Sequence, residues 1–523
     1  MPFTSMILGS SVHVATLRLK LDNHAWHIVG LWDMCLLLLF LVLAPTSGIL
    51  LAIRQVLLFA FSFLSGFFGS MAIYRLFFSP IRHFPGPRIA ALTSFYRVYA
   101  SIRSNIRLFS EIEKLHQQYG DYVRVGPREI SILNPAAIPL LYGSKTQCRR
   151  GPWYDHISGK EEDKHVLLVK DPATHSWRRR ILDRGLSSKA LVDYEHRIQR
   201  TVDELIAALD ARTGTPIDMT EWVNFFSFDA MGRIAYNHDF GMLKNGVDTV
   251  SVEGRSTSLK ALHSAMKALG VLGPVPWLFR MIGQTGAGGE ITAFFQWCHE
   301  AMHMKQRVRL TPRALANTSS LLILAGSDTT ASAITNALFY LSCNPPALAR
   351  LRAELDAASP SPSVAASPPA SPYLDAVINE TLRLKPPACG SLGREIVAPA
   401  GLTLPDGTHI PAGVVAAVPT WALQRDARWW GADAGVWRPE RWEGLKTDGE
   451  AAAFIPFSRG AGRCPGERLA YVEMRRVVAG VVGRFEVRLA EGQGVAQFDE
   501  GGVDAFTLGN PPLRVVVERR SVR

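Results

Sequence analysis

The stretch FSRGAGRCPG, residues 457–466, sets one thiol, Cys464, among glycines, with Arg459 and Arg463 nearby. Gly460, Gly462 and Gly466 let the backbone approach a flat ligand closely. The run after Gly466, ERLAYVEMRRVVAGVVGRF, has a helical pattern, so Cys464 falls just before a helix N-terminus. Backbone N–H groups and the positive end of the helix dipole favour a thiolate there, and the arginines add to the field. Such a thiolate is a soft ligand suited to iron. Taken alone, the loop equally suits a structural cysteine in a tight turn.

Two further groups could do chemistry or support it. LAGSDTTA, residues 324–331, sets the acid Asp328 beside the alcohol Thr329 in a helical context. Gly326 costs about 1 kcal/mol inside a helix, which points to a ligand close by or a local widening. Acid and alcohol at such a place could hand protons to a reactant. The competing reading is a polar helix face whose threonines bond back to carbonyls. In ETLR, Glu380 and Arg383 are three residues apart and share a helix face. Arg441 of PERW (439–442) could complete a three-residue ionic network with them.

These residues need a scaffold. Thr311-Pro312 is a good helix start, and no breaker follows until Asn344-Pro345-Pro346. That predicts a helix of about thirty residues carrying Asp328 and Thr329 through the core. A short helix, Tyr373 to Leu384, stops at Pro386-Pro387 and carries Glu380 and Arg383. Amphipathic helices are expected over 108–120 and 191–211, and a strand pair at YVRVG and EISIL. LTLPDGTHIPAGVV predicts a hairpin turning at Asp406-Gly407. Apolar segments between Leu259 and Arg309 suit helices over a greasy pocket, and the Ser/Pro/Ala-rich run 357–372 an exposed loop. The expectation is one large, mainly α domain with small β-sheets over residues 76–523.

The totals narrow the class. The 523 residues are 47% hydrophobic and carry a net charge of +11. No Lys/Arg-rich tract with interleaved aromatics appears, so nucleic-acid binding is not expected. A basic face toward anionic lipid or an acidic partner protein is. Six scattered cysteines without a C-x-x-C pair argue against a disulfide framework or a structural zinc site. Residues 34–53 and 55–74 hold no charge other than the intervening Arg54 and the runs are long enough to cross a bilayer. A membrane anchor over 28–75 is expected, after an N-terminal flank of residues 1–27. Pro45-Thr46-Ser47-Gly48 reads as a turn, giving a helical hairpin of roughly 28–44 and 50–73; a single span near 55–74 is the alternative. Pro85-Gly86-Pro87 follows as a stiff elbow.

Together, FSRGAGRCPG, AGSDTT, ETLR and PERW, in that family's chain order, resemble cytochrome P450, the haem-thiolate monooxygenases. The resemblance covers roughly residues 80–515 and is similar in wording to membrane-anchored fungal biosynthetic members. It implies the P450 fold behind a transmembrane segment, haem b as cofactor, and Cys464 as the axial iron ligand. Phe457, Gly460 and Arg463 would belong to the haem loop. Thr329 with Asp328 would deliver protons toward dioxygen, and Glu380, Arg383 and Arg441 would lock the core. HSWRRRILDRGLSS resembles the family's helix over the haem propionates, with His175 and Arg179 in register. Arg394 of GREI resembles its propionate-binding strand arginine. The implied function is insertion of one oxygen atom into a hydrophobic small molecule, a secondary metabolite, with electrons from NADPH-cytochrome P450 reductase. The implied location is the endoplasmic reticulum membrane, catalytic domain toward the cytoplasm.

There are departures. Where the family usually has Arg or His two residues before the cysteine, this chain has Gly462. The stretch 297–321 is short for the family. These motivate a second reading as a vestigial, non-catalytic haem protein. A third keeps the fold as an isomerase or dehydratase, which the presence of Thr329 disfavours.

Overall fold

In the computed structural model, which describes residues 2–17, 19, 24–155, 164–252, 255–285, 312–358, 371–390, 392–444 and 450–521, the chain begins with three helices. They are α1 (Pro2–Thr16), α2 (Ala25–Ser47) and α3 (Ile49–Ile73). Both α2 and α3 are apolar and long enough to cross a membrane; 23 residues of helix reach about 34 Å. They fold back on one another, with Trp32 on Phe63 at 4.9 Å between ring centres. The turn differs from the expected one. Pro45 lies inside α2, in its last turn, and the Thr46 and Ser47 hydroxyls donate to Leu43 O at 3.0 and 2.8 Å. The break waits for Gly48, at φ +77°. Within the N-terminal flank, α1 packs on α3 through small residues. A Cβ at Gly9 would stand 2.1 Å from Phe63 O, and one at Gly66 2.0 Å from Met6 O. Ser10 Oγ donates to Gly66 O at 3.1 Å, and His13 Nδ1 meets Ser70 Oγ at 2.9 Å.

The rest of the chain is mainly helical. Helix α4 (Leu108–Tyr119) ends at Gly120, at φ +90°, and the strand pair β1 (Tyr122–Gly126) and β2 (Glu129–Ile132) follows. Next come α5 (Ala137–Tyr142), β3 (Cys148–Arg150), α6 (Pro172–Gly185), α7 (Ser188–Asp210), α8 (Met219–Met231) and α9 (Leu259–Leu272). The long helix α10 runs from Pro312 to Cys343, and α11 from Pro372 to Leu384. Ser371 caps α11 by accepting from Leu374 N–H, with Pro372 at the first turn. Strands β4 (Arg394–Ile396) and β5 (Val415–Ala417), helix α12 (Glu467–Arg484), and strands β6 (Val503–Ala505) and β7 (Thr507–Gly509) complete the set used below. The expected hairpin at Asp406-Gly407 forms, Leu402–Thr403 pairing with His409–Ile410.

Strands β1-β2-β5-β4-β3 make one five-stranded sheet. Its β4–β3 register sets Arg394 opposite Arg150. The main core lies elsewhere, among α7, α8, α10, α11 and α12, where Phe226, Ile334, Val377, Val477 and Val481 are fully buried. So α10 crosses the molecule between α8 and α12. Most of the Ser/Pro/Ala-rich run, the stretch 286–311 and with it much of the short 297–321 segment lie outside the described residues.

Candidate active site

Gly326 shows how α10 is held. A Cβ there would stand 2.8 Å from Met231 Sδ, so the missing side chain lets α8 and α10 close together. Ser227 Oγ donates to Ser327 O at 2.9 Å, and Ser327 Oγ returns the bond to Ser227 O at 3.3 Å. The expected widening is absent: α10 stays α-helical throughout. The glycine is spent on helix packing as well as on the cavity it lines.

That cavity, of about 510 Å³, is walled by Ala325, Gly326 and Thr329 of α10, by the loop around Cys464, and by the sheet end bearing Arg150 and Arg394. His175, Arg179, Phe457, Arg463 and Cys464 also border it, as do Gly462 and Gly466. The fold therefore gathers most of the sequence-predicted residues around one space. Cys464 is enclosed by protein yet its side chain is open to the cavity. Its N–H donates to Phe457 O at 2.8 Å, which closes the loop. Burial pushes the thiol up, against backbone N–H donors at Gly466 and Glu467 that favour the thiolate.

The other predicted residues divide. Gly460 does not border the cavity. It takes φ +63°, and a Cβ there would stand 1.9 Å from Tyr142 O, so it seats the loop against the end of α5. Arg463 turns its guanidinium outward onto Glu467, at 2.6 and 2.8 Å, while its carbonyl accepts from Arg179 Nη1. Thr329 Oγ1 donates to Ala325 O at 2.6 Å and borders the cavity. Asp328 points away, buried, and its Oδ1 meets His263 Nε2 of α9 at 3.0 Å. Acid and alcohol are thus adjacent in sequence but face different surroundings.

Glu380 and Arg383 are fully buried and joined by two hydrogen bonds of 2.8 Å. Arg383 also donates to Gln424 O and Ala434 O, both at 2.7 Å. Arg441 Nε reaches Glu380 Oε1 at 3.3 Å and its Nη1 donates to Trp430 O at 2.6 Å. Trp442 Nε1 and Arg438 N–H complete the carboxylate's partners, each at 3.0 Å. Such a network stitches α11 to the 424–442 segment, every buried charge being paired.

The cavity's electrostatics show what it suits. Arg150 and Arg394, opposite on adjacent strands, carry like charges, an arrangement that destabilises a sheet unless something offsets it. Arg150 was not anticipated; the only trace in sequence is the Cys148-Arg149-Arg150 run, whose strand register is invisible there. Arg394 Nη1 donates to Tyr154 Oη at 2.5 Å. His175 is pushed down to about 4, by burial first and then by Arg150, Arg179 and Arg394. A Cβ at Gly462 would stand 3.0 Å from Arg394 Nη2, so the bare residue leaves room for that guanidinium. One soft sulfur, a wall of small residues and a cluster of crowded cations fit a flat, dianionic, metal-centred macrocycle.

Comparison with known proteins agrees. The family model described as Cytochrome P450 matches residues 94–287 and 285–517. The chain is 35% identical to a cytochrome P450 monooxygenase of Eupenicillium brefeldianum, over 87% of this chain and 95% of that protein. It is 33% identical to a cytochrome P450 monooxygenase of Fusarium pseudograminearum, over 88% and 86% respectively. It is also 29% identical to the tryprostatin B 6-hydroxylase of Aspergillus fumigatus, over 90% and 86%. The chain belongs to the cytochrome P450 family. It is an oxidoreductase of the monooxygenase class, similar to fungal biosynthetic members, with apolar helices suited to anchoring it in a membrane.

Proposed function

We propose that this chain is a membrane-anchored haem b monooxygenase that oxygenates a hydrophobic secondary metabolite, with Cys464 as its iron ligand. The observation that carries the reading is the single cavity bordered by the Cys464 thiol, Thr329 and the Arg150–Arg394 cation wall. When bound, haem supplies dioxygen activation, which a thiolate ligand favours. Phe457 and Gly460 shape the loop that presents the thiol. Arg150, Arg179 and Arg394 are the cations we assign to the propionate edge, with His175 as a neutral donor beside them. Arg463 contributes through its carbonyl, which engages Arg179. Thr329 Oγ1 borders the cavity and could hand a proton into it by turning away from Ala325 O, while Asp328 pairs behind it with His263. Glu380, Arg383 and Arg441 hold the scaffold.

Electrons come from NADPH-cytochrome P450 reductase, an acidic partner that the net charge of +11 would attract. We assign the anchored enzyme to the endoplasmic reticulum membrane with its catalytic domain toward the cytoplasm, a side that Arg75, Arg82 and Arg88 after α3 support. The test is the reduced, carbon-monoxide-bound spectrum of the purified full-length protein with haem supplied. A red-shifted Soret band of thiolate-ligated haem is expected, and Cys464→Ser should abolish it. A wild type with no such band refutes the reading; a band that persists in the serine variant reassigns the ligand.

A further inference from the structure

One buried acid on the cavity wall has no part in the chemistry above. Asp504, on β6, borders the same cavity as Cys464 and Thr329, in company with Trp153, Leu269, Phe506 and Cys389. Protein encloses its carboxyl except where the cavity opens. It accepts from the Phe506 N–H and from the Cys389 thiol. No arginine, lysine or histidine among the described residues opposes its charge. Burial, without such a cation, drives the carboxyl up to about 6.

The position is rigidly built. Asp504 N–H donates to Ile106 O at 2.6 Å, and across the hairpin Asp504 faces Leu508. Gly270 lets α9 press onto the strand: a Cβ there would stand 1.9 Å from Asp504 O. At the hairpin tip Phe506 is held at φ +70°, its ring stacked on Trp153 at 5.5 Å. An ionised carboxylate on an apolar, enclosed wall is costly unless a charge or donor meets it. Glu129, which also borders the cavity, has Arg97 as its partner, and the buried acids behind it are likewise met: Asp328 by His263 and Glu380 by Arg383. For Asp504 the open direction is the cavity, where none of the described residues supplies the partner and a ligand can.

We propose that Asp504 is a specificity-determining residue that selects hydrophobic substrates carrying a positively charged nitrogen. The inference rests on the cavity being the substrate site of the proposed enzyme. It deepens that reading by naming the class of substrate: a bulky apolar amine, cationic at neutral pH, whose nitrogen pairs with the Asp504 carboxylate and whose remainder lies toward Cys464.

The experiment uses the full-length protein and two probes of matched shape. One is the cation 4-tert-butylbenzyltrimethylammonium, which has no lone pair with which to ligate iron. The other is neutral 1-(4-tert-butylphenyl)-2-methylpropan-2-ol. Binding is read by equilibrium dialysis, which needs neither turnover nor a spectral response of the haem. The wild type should hold the cation about tenfold or more tighter than the alcohol. Asp504→Asn, which keeps the shape, should lose about tenfold for the cation and stay within about twofold for the alcohol. Equal wild-type affinity for the two probes overturns the proposal without any variant being made. So does an asparagine variant that keeps its cation preference. Loss of the thiolate band in the wild type would instead refute the enzyme reading, and the dialysis result stands apart from it.

Discussion

Replacing Glu473 by glutamine should stabilise this protein, by an amount that grows with pH. Glu473 lies in α12 and is 1% exposed. Neither carboxyl oxygen has a hydrogen bond of ordinary length among the described residues, and the Thr330 hydroxyl on α10 offsets the burial only in part. Desolvation drives the carboxyl up to about 8, from 4.5 when solvated. Between those values the native state keeps a proton that the unfolded chain has released. Wild-type stability must therefore fall as pH rises from 4.5 toward 8, by up to about 1.4 kcal/mol per pH unit, and level off above. At pH 7 the accumulated loss is about 3 kcal/mol. Glutamine fills the same space and does not titrate, so it should escape the loss. The assay is the thermal midpoint of wild type and Glu473→Gln in one detergent at pH 5, 6, 7 and 8. The two should melt nearly together at pH 5, and the variant a few degrees higher, roughly 3–6 °C, at pH 8. A gap that is constant across this range, or a wild type that is more stable at pH 8, would refute the argument.

Glu380→Gln should destabilise strongly, by about 3–5 kcal/mol, because it leaves the fully buried Arg383 without its anion. A thermal midpoint within a degree or so of wild type would show that the network is replaceable. In Thr329→Ala, reconstituted with the reductase, NADPH consumption should continue while a larger share of the electrons appears as hydrogen peroxide. Product formed in unchanged proportion to NADPH would remove Thr329 from proton handling.

The scaffold was legible where local chemistry decides it. Thr311-Pro312 and Asn344-Pro345-Pro346 bracket a helix that runs from Pro312 to Cys343. Asp406-Gly407 turns a hairpin, with Gly407 at φ +85°. Pro386-Pro387 stops the helix that holds Glu380. Where the outcome depends on a distant neighbour, the sequence was silent or misleading. Gly326 invites a ligand-based explanation, but its nearest neighbour is Met231, ninety-odd residues earlier in the chain. The contact of α1 with α3 rests on Gly9 and Gly66, two small residues whose meeting no periodicity reveals. The adjacency of Asp328 and Thr329 suggested joint action on one reactant. A helix rotates neighbours by about 100°, so one opens on the cavity and the other meets His263.

Gly462 makes the same point about charge. Counted along the chain, the loop lacks a cation two residues before Cys464, and Arg463 reads as its displaced substitute. In space Arg463 is engaged by Glu467 on the outer face, and cannot be the substitute. The guanidinium that stands beside the bare position is Arg394, whose Nη2 would lie 3.0 Å from any Cβ at 462. Arg394 in turn is crowded by Arg150 through strand pairing and by His175 and Arg179 through α6. Two of the three arginines reach the cavity from a sheet whose register cannot be read from one sequence. A cationic side chain at 462 would compete with them for space and add to their repulsion. For the proposed haem site, the glycine is therefore better understood as the condition for a sheet-borne grip than as the loss of a loop-borne one.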